Sequence, residues 1–301
     1  MRLPSYLNLS DKELAQREKG LFKILEDCQV CPRQCRVNRV KEEKGVCQLG
    51  HLPMVSSFHP HFGEERVLVG RGGSGTIFFT SCNLACLFCQ NYEISQLRQG
   101  EEVSFEKLAE MMLGLQKIGC HNVNFVTPSS QVPQIIKALI MAKEQGLKIP
   151  LVYNTNAYDS VETLKLLEGI VDIYMPDAKY SDDKLALKYS QAADYFAIMK
   201  KAIKEMHRQV GDLFVNQEGI TTRGLLVRHL VLPNNLAGSK EIFNFLAREI
   251  STNTFLNIMD QYYPCYQAFE YPELARPITP EEYQEAVNWA KEAGLGRGMP
   301  F

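Results

Sequence analysis

The chain has 301 residues, 45% of them hydrophobic, with 33 Lys and Arg against 35 Asp and Glu for a formal net charge of -2. That size and composition suit one sizeable core with an appendage, and they leave no positive excess to neutralise a nucleic-acid backbone. No stretch approaches the roughly 20 apolar residues that span a bilayer, and the N-terminal MRLPSYLNLSDKELAQREKG lacks a signal-peptide core. The expectation is a cytoplasmic protein without nucleic-acid or membrane partners.

The first marked feature in chain order is CQVCPRQC followed by Cys47, which sets Cys28, Cys31, Cys35 and Cys47 in a Cys-x2-Cys-x3-Cys-x11-Cys pattern. Four thiolates can close a metal site, and thiolate binds zinc and iron alike. Both a structural zinc and a second iron-sulfur centre stay open. Residues 1–70, rich in cysteine, charge and turn formers, are read as a small Cys-rich metal-binding module, and residues 71–301 as a second unit. His59 and His61 are candidates for a metal or for the mouth of a site. GRGGSG at 70–75 fits a dinucleotide fingerprint but precedes a strand instead of following one, so it reads as a flexible lead-in turn.

From Thr76 onward, short apolar runs alternate with helical periodicity, the pattern of βα units on a parallel sheet. The predicted strands are TIFFT from Thr76, NVNFV from Asn122, PLVYN from Pro150, VDIYM from Val171, LLVRHLVL from Leu225 and TFLNIM from Thr254. Between the first two, Phe105, Leu108, Met112, Leu115 and Ile118 recur every three or four residues and Gly119 follows as a stop. A last helix is expected after Thr279, with Pro280 in its first turn, Glu282 three residues past the cap and Gly294 beyond its end.

Ligands in such folds collect at the C-terminal ends of the strands. The loop after the first predicted strand reads SCNLACLFCQ, with Cys82, Cys86 and Cys89 spaced Cys-x3-Cys-x2-Cys. Three thiolates leave one iron of a four-iron cluster without a protein ligand, and an open position makes a metal site reactive. A zinc completed by a distant histidine, or a fourth thiolate from Cys120 or Cys265, remains the alternative. Otherwise those two lone thiols read as buried small hydrophobes.

The triplet with aromatic Phe88 before its last cysteine resembles the radical S-adenosylmethionine (radical SAM) enzymes. GSGTIFFTSCNLACLFCQNYEIS with NFVTPS, YNTNAYD, YMPDAKY and QYYP is similar to the pyruvate formate-lyase activating enzyme-like branch, over roughly Cys28 to the C-terminus. The resemblance implies an α/β fold, a partial (β/α)6 TIM-like barrel, in which Cys82, Cys86 and Cys89 hold a 4Fe-4S cluster whose fourth iron takes S-adenosylmethionine. It further implies Phe88 beside the adenine, Asn154 and Thr155 on a polar third-strand loop, and Asp177 and Lys179 matching an Asp-x-Lys motif whose lysine suits the methionine carboxylate. Arg228 is a further carboxylate partner and Gln261 an adenosine contact. TPSS at 127–130 departs from the family's glycine-rich, acidic motif, leaving Thr127 and Ser129 to face the amino group without a carboxylate.

The function so implied is reductive cleavage of S-adenosylmethionine to a 5'-deoxyadenosyl radical that takes hydrogen from a protein or peptide, with a reduced flavodoxin or ferredoxin-like electron donor. A non-catalytic iron-sulfur carrier or metal-binding scaffold is the alternative. A zinc hydrolase lacks any His-Glu-x-x-His helix.

Overall fold

A computed structural model describes residues 3–298 of the chain. Its strands are β1 Met54–His61, β2 Ser74–Phe79, β3 Glu101–Glu102, β4 Val123–Val126, β5 Leu151–Thr155, β6 Ile173–Pro176, β7 Phe214–Val215, β8 Thr221–Leu230 and β9 Phe255–Met259. They form a mixed sheet in the order β3-β1-β2-β4-β5-β6-β8-β7, with β9 also on β8. Within it β2, β4, β5, β6, β8 and β9 run parallel in succession, and these are the six strands expected from the sequence.

The parallel run is buried on both faces, which is why its strands read as near-continuous apolar stretches. One face packs on the helices: Ile77, Phe79, Val123, Phe125, Tyr153 and Tyr174 belong to the main core. On the other face Val152, Ile173, Met175 and Leu226 form a separate apolar cluster with Leu213 and with Leu68 of the short helix Arg66–Val69. That helix plugs the sheet's inner side at the strands' N-terminal ends. The opposite, C-terminal rim is left for polar side chains.

Two features differ from the expectation. β1 lies inside the segment 1–70, yet it pairs antiparallel with β2 from Val55↔Phe79 to His61↔Ser74, so the sheet crosses residue 70. Its sequence MVSSFHPH carries serine, histidine and proline and is mostly open on its faces, hence no apolar alternation betrays it. The helix Asp11–Glu26, closed by a Ser10–Glu13 capping box, places Leu14, Leu21 and Leu25 in the main core beside Cys28 and Cys31. The N-terminal segment therefore shares one hydrophobic core with the sheet. Its first two residues, like the last three of the segment 71–301, lie outside the described residues.

The glycines of 70–75 serve close packing. A Cβ on Gly72 would stand 2.1 Å from the Gly119 carbonyl and one on Gly75 2.6 Å from that of Asn122, so the stretch leads into β2 pressed against backbone. Among the described residues no helix is long and apolar enough to cross a membrane.

The helix Phe105–Ile118 is capped by Ser104 and ends at Gly119 with φ 100°. The helix Pro280–Glu292 begins at Thr279 with a complete capping box to Glu282. Thr279→Ala is expected to cost about 1 kcal/mol, read as a lowered urea midpoint, while Thr279→Ser stays near wild type.

Candidate functional site

The loop leaving β2 is pinned by backbone hydrogen bonds from Ser81 to Ile94, Cys82 to Ser95, Ala85 to Ser190 and Leu87 to Tyr189. Those anchors turn Cys82, Cys86 and Cys89 onto one cavity of about 130 Å3 that Thr127, Asn154, Thr155 and Asn156 also line. Each sulfur has a polar neighbour: Asn156 Nδ2 at 3.2 Å from Cys82, Ser190 Oγ at 3.0 Å from Cys86 and Ser95 Oγ at 3.1 Å from Cys89. Burial, reinforced by the neighbouring thiols, pushes the Cys82 thiol up to about 12. Cys86 is raised for the same first reason, with the Lys179 ammonium opposing. Thiols this hard to ionise bind metal only with release of their protons, and a bound cationic cluster offsets what burial costs the thiolate. Three cysteines on one cavity, each beside a hydrogen-bond donor, fit a cluster held by three thiolates.

A larger cavity of about 360 Å3 adjoins it, lined by Cys86, Phe88, Cys89, Asn154, Asp177, Lys179, Arg228 and Gln261 with His61 and Glu64. Here the predicted rim residues meet. Asp177 accepts from Lys179 Nζ at 2.8 Å and from Arg228 Nε at 2.7 Å, and Arg228 Nη2 donates to Asn154 Oδ1 at 2.8 Å. Burial works against the Asp177 charge, but Arg228 and Lys179 outweigh it and hold the carboxyl below its usual range. Lys179 is likewise raised by Asp177 in spite of burial.

Sequence reasoning missed the carboxylates beneath this network. Glu64 lies 3.4 Å from Arg228 and 3.4 Å from His61, and its carboxyl is held low by them against burial. Glu65 accepts from Asn257 Nδ2 at 2.8 Å, while burial raises its carboxyl. Both sit just before the plug helix, a position with no periodicity to mark it. Asp159, behind Thr155, accepts from Thr155 Oγ1 at 2.5 Å and from Tyr153 Oη at 2.8 Å.

The remaining predicted residues divide. Phe88 lines the larger cavity and packs edge-on against Tyr262 and Tyr180. Gln261 lines it too, and its carbonyl accepts from Gln90. Thr127 holds a left-handed φ of 62° and donates its N–H to the Asn154 carbonyl, a conformation costly for a β-branched residue. Ser129 lines neither cavity; its hydroxyl lies 3.0 Å from Thr155 Oγ1 and supports that side chain. His61 lines the mouth, whereas His59 stacks on Phe78. Cys120 is buried in the core, and Cys265 Sγ lies 3.3 Å from the Phe88 carbonyl.

All nine cysteines are free thiols. Cys28, Cys31 and Cys47 are buried and Cys35 is half-buried. Burial pushes Cys31 up to about 12, with Cys47, Cys28 and Cys35 each adding repulsion. Among the described residues no three His, Cys, Asp or Glu side chains are gathered as ligands of a single ion, at these four or elsewhere.

The sequence profile of the Radical SAM superfamily matches residues 76–226, the stretch from β2 into β8. Two uncharacterized proteins of Methanocaldococcus jannaschii are similar over most of their length. One is 34% identical over 281 residues, covering 90% of this chain and 76% of the relative; the other is 26% identical over 311 residues, covering 93% and 83%. Among solved structures, a radical SAM methyltransferase from Sphaerobacter thermophilus superposes with a TM-score of 0.52 at 14% identity, covering 75% of this chain and 66% of its own. HydG, a maturase of the [FeFe]-hydrogenase, gives 0.52 at 12% identity, covering 97% and 57%. The chain spans just under two thirds of the first and less of the second, and at such identities the likeness is one of fold.

Asp177 separates two cations, and their side chains and its own are only 16 to 19% exposed. Asp177→Asn leaves Lys179 and Arg228 facing each other in a desolvated site and is expected to cost about 3 kcal/mol or more, measured by denaturant unfolding. Because the folded carboxyl is held below its unfolded value, its contribution is present above about pH 4 and is lost as pH falls through the lower folded value. The difference between wild type and Asp177→Asn should therefore be full at pH 7 and shrink in acid.

Proposed function

The chain belongs to the radical SAM superfamily, and from that premise we propose that Cys82, Cys86 and Cys89 bind its 4Fe-4S cluster and that the adjoining cavity binds S-adenosylmethionine. The observation that carries this reading is the shared wall: Cys86, Cys89, Asn154, Asp177, Lys179 and Arg228 line both the cysteine cavity and the larger one. When bound, the reduced cluster supplies one electron that breaks a carbon-sulfur bond of S-adenosylmethionine, giving methionine and a 5'-deoxyadenosyl radical that takes a hydrogen atom from the substrate.

This chain's residues bind and orient. Lys179, positioned by Asp177, offers its ammonium to the methionine carboxylate, with Arg228 behind it. Asn154, Thr155 and Thr127 supply oxygens to the amino group, since Ser129 is committed to Thr155. Phe88 gives an apolar face to the adenine, and Gln261 stands opposite for the adenosine. Phe78, Leu230 and Met259 line the same cavity and exclude water from the reacting centre.

The proposed substrate is a protein or peptide, as in the activating enzymes of the pyruvate formate-lyase type that the chain resembles, with a reduced flavodoxin or ferredoxin-like protein in the cytoplasm as electron donor. The four N-terminal cysteines are proposed to hold a second metal centre, zinc or iron-sulfur. Glycyl-radical installation rests on that resemblance, since one fold serves many chemistries.

The test is anaerobic reconstitution with iron and sulfide, then dithionite and S-adenosylmethionine. The chain is expected to release 5'-deoxyadenosine and methionine, and the reduced cluster's paramagnetic resonance signal should change when S-adenosylmethionine is added. Cys86→Ala should give neither. A fully loaded cluster that yields no 5'-deoxyadenosine and ignores the cofactor would leave an electron carrier instead.

A further inference from the structure

The three sulfurs of the triplet meet three polar side chains, each brought by a different element. Asn156 lies in the loop after β5, Ser190 ends the helix Asp183–Ser190, and Ser95 ends the short helix Tyr92–Ser95. All three are buried. They stand 3.2 Å from Cys82, 3.0 Å from Cys86 and 3.1 Å from Cys89, one to each sulfur. A loop needs only backbone anchors to hold its shape, and this one already has four of them.

Second partners fix the direction of each proton. Asn156 Oδ1 accepts the Tyr158 N–H at 2.9 Å, and its Nδ2 donates to Asn83 Oδ1 at 2.8 Å as well as to Cys82. Reversed, that amide would meet the Tyr158 N–H with a donor and the sulfur with a lone pair, so its N–H must face Cys82. Asn83 is held in turn, its Nδ2 donating to the Tyr158 carbonyl at 2.7 Å. Ser190 Oγ donates to Cys86 and lies 2.8 Å from Tyr180 Oη. A hydroxyl has one proton, so with that proton on sulfur the buried phenol is the donor to Ser190. Ser95 Oγ accepts from Gln96 Nε2 at 3.3 Å, which leaves its own proton for Cys89. The Leu84 N–H adds a backbone donor to Cys82 at 3.3 Å.

We propose that Asn156, Ser190 and Ser95 set the reduction potential of the cluster held by Cys82, Cys86 and Cys89, raising it through hydrogen bonds to all three thiolates. This rests on the cluster proposed above. Reduction takes one electron from a low-potential donor and breaks no bond, so the cluster and its thiolates gain one negative charge. Part of that charge falls on sulfur, where a fixed donor stabilises the reduced form more than the oxidised one. In a buried site the effect is stronger than in water. Tyr180 and Gln96 add to it at one remove, because a hydroxyl that accepts a hydrogen bond is a better donor in its own. The donors make the electron easier to load and the loaded cluster a weaker reductant. They thus divide the driving force between loading and carbon-sulfur cleavage, acting through the thiolates as positioning residues.

The test is a potentiometric titration of the full chain, reconstituted with iron and sulfide and followed through the paramagnetic resonance signal that Cys86→Ala lacks. Asn156→Leu is expected to lower the reduced-to-oxidised ratio at a given potential by about tenfold, equivalent to a potential about 59 mV lower for a one-electron couple. Ser190→Ala and Ser95→Ala should each lower it by about threefold. Tyr180→Phe, which touches no sulfur, should move it the same way by less than Ser190→Ala. Because the donors serve different sulfurs, the shifts of Ser190→Ala and Ser95→Ala should add in the double variant. A merely structural role has the opposite sign: a loosened wall admits water, and water at the cluster raises the potential. Loaded variants whose potential stays at the wild-type value, or rises, overturn the proposal. Should Asn156→Leu take up no cluster, the two serine variants decide; if those also fail to load, the donors are structural and the proposal falls. A wild-type chain that loads no cluster at Cys82, Cys86 and Cys89 sinks the reading above. Clusters that shift as expected but release no 5'-deoxyadenosine sink only the catalytic part of that reading.

Discussion

Asp177 is the group on which the rim of the sheet depends. It lies at the end of β6, where its N–H reaches the Thr155 carbonyl of β5 and the following Ala178 N–H reaches the Arg228 carbonyl of β8. Its carboxylate holds Lys179 on one side and Arg228 on the other, and Arg228 extends to Asn154 and Glu64. One anion thus fixes the direction of two cations and joins three strands with the segment that plugs the sheet. Both cations are largely desolvated; Asp177 is the anion they share, and Glu64 stands beside Arg228 as a second one. The arrangement is rigid without being closed, because the lysine has donors to spare for a ligand.

The polar rim is affordable only because the other end is apolar. Val152, Ile173, Met175, Leu213, Leu226 and Leu68 fill the inner side near the strands' N-terminal ends, and the cavities lined by Asp177 and the cysteines lie at the other end. Burial raises the Cys82 and Cys86 thiols and gives strength to every charge contact around them. A site of this kind tolerates little rearrangement, which suits holding a cofactor while a reactive species is made and directed.

What the sequence made legible follows from how local each signal is. All six parallel strands were readable because burial on two faces leaves a dense apolar run, and the cysteine triplet because its spacing lies within one loop. The capping boxes at Thr279–Glu282 and Ser10–Glu13 are equally local, each lying within four residues. β1 was hidden by its serines, histidines and proline, being a strand through its pairing with β2 more than through its own residues. The link between Asp177 and Arg228 joins residues 51 apart, and that between Glu64 and Arg228 joins residues 164 apart; each residue can be suspected alone, but the pairing exists only in the fold. The buried place of Arg39 was invisible for the same reason, since its partners at Gly50 and Ser130 are carbonyls, which no sequence distinguishes.

The departure at 127–130 acquires a physical meaning from these contacts. Where an acidic side chain would place a full negative charge beside an ammonium, this loop has spent its polar atoms on structure: the Ser130 carbonyl on Arg39, the Ser129 hydroxyl on Thr155, the Thr127 N–H on Asn154. The nearest buried carboxylate, Asp159, stands behind Thr155 and reaches the cavity only through that hydroxyl. Around the larger cavity Lys179 and Arg228 are matched by Asp177 and Glu64, so its fixed charges nearly cancel. A balanced, desolvated pocket favours a ligand that carries both signs close together over one of either sign alone, because a lone charge would lose its hydration without finding an unspent partner. The methionine part of S-adenosylmethionine is such a zwitterion. In this chain the stretch 127–130 carries no carboxylate, and the balance of charge lies across the whole rim instead.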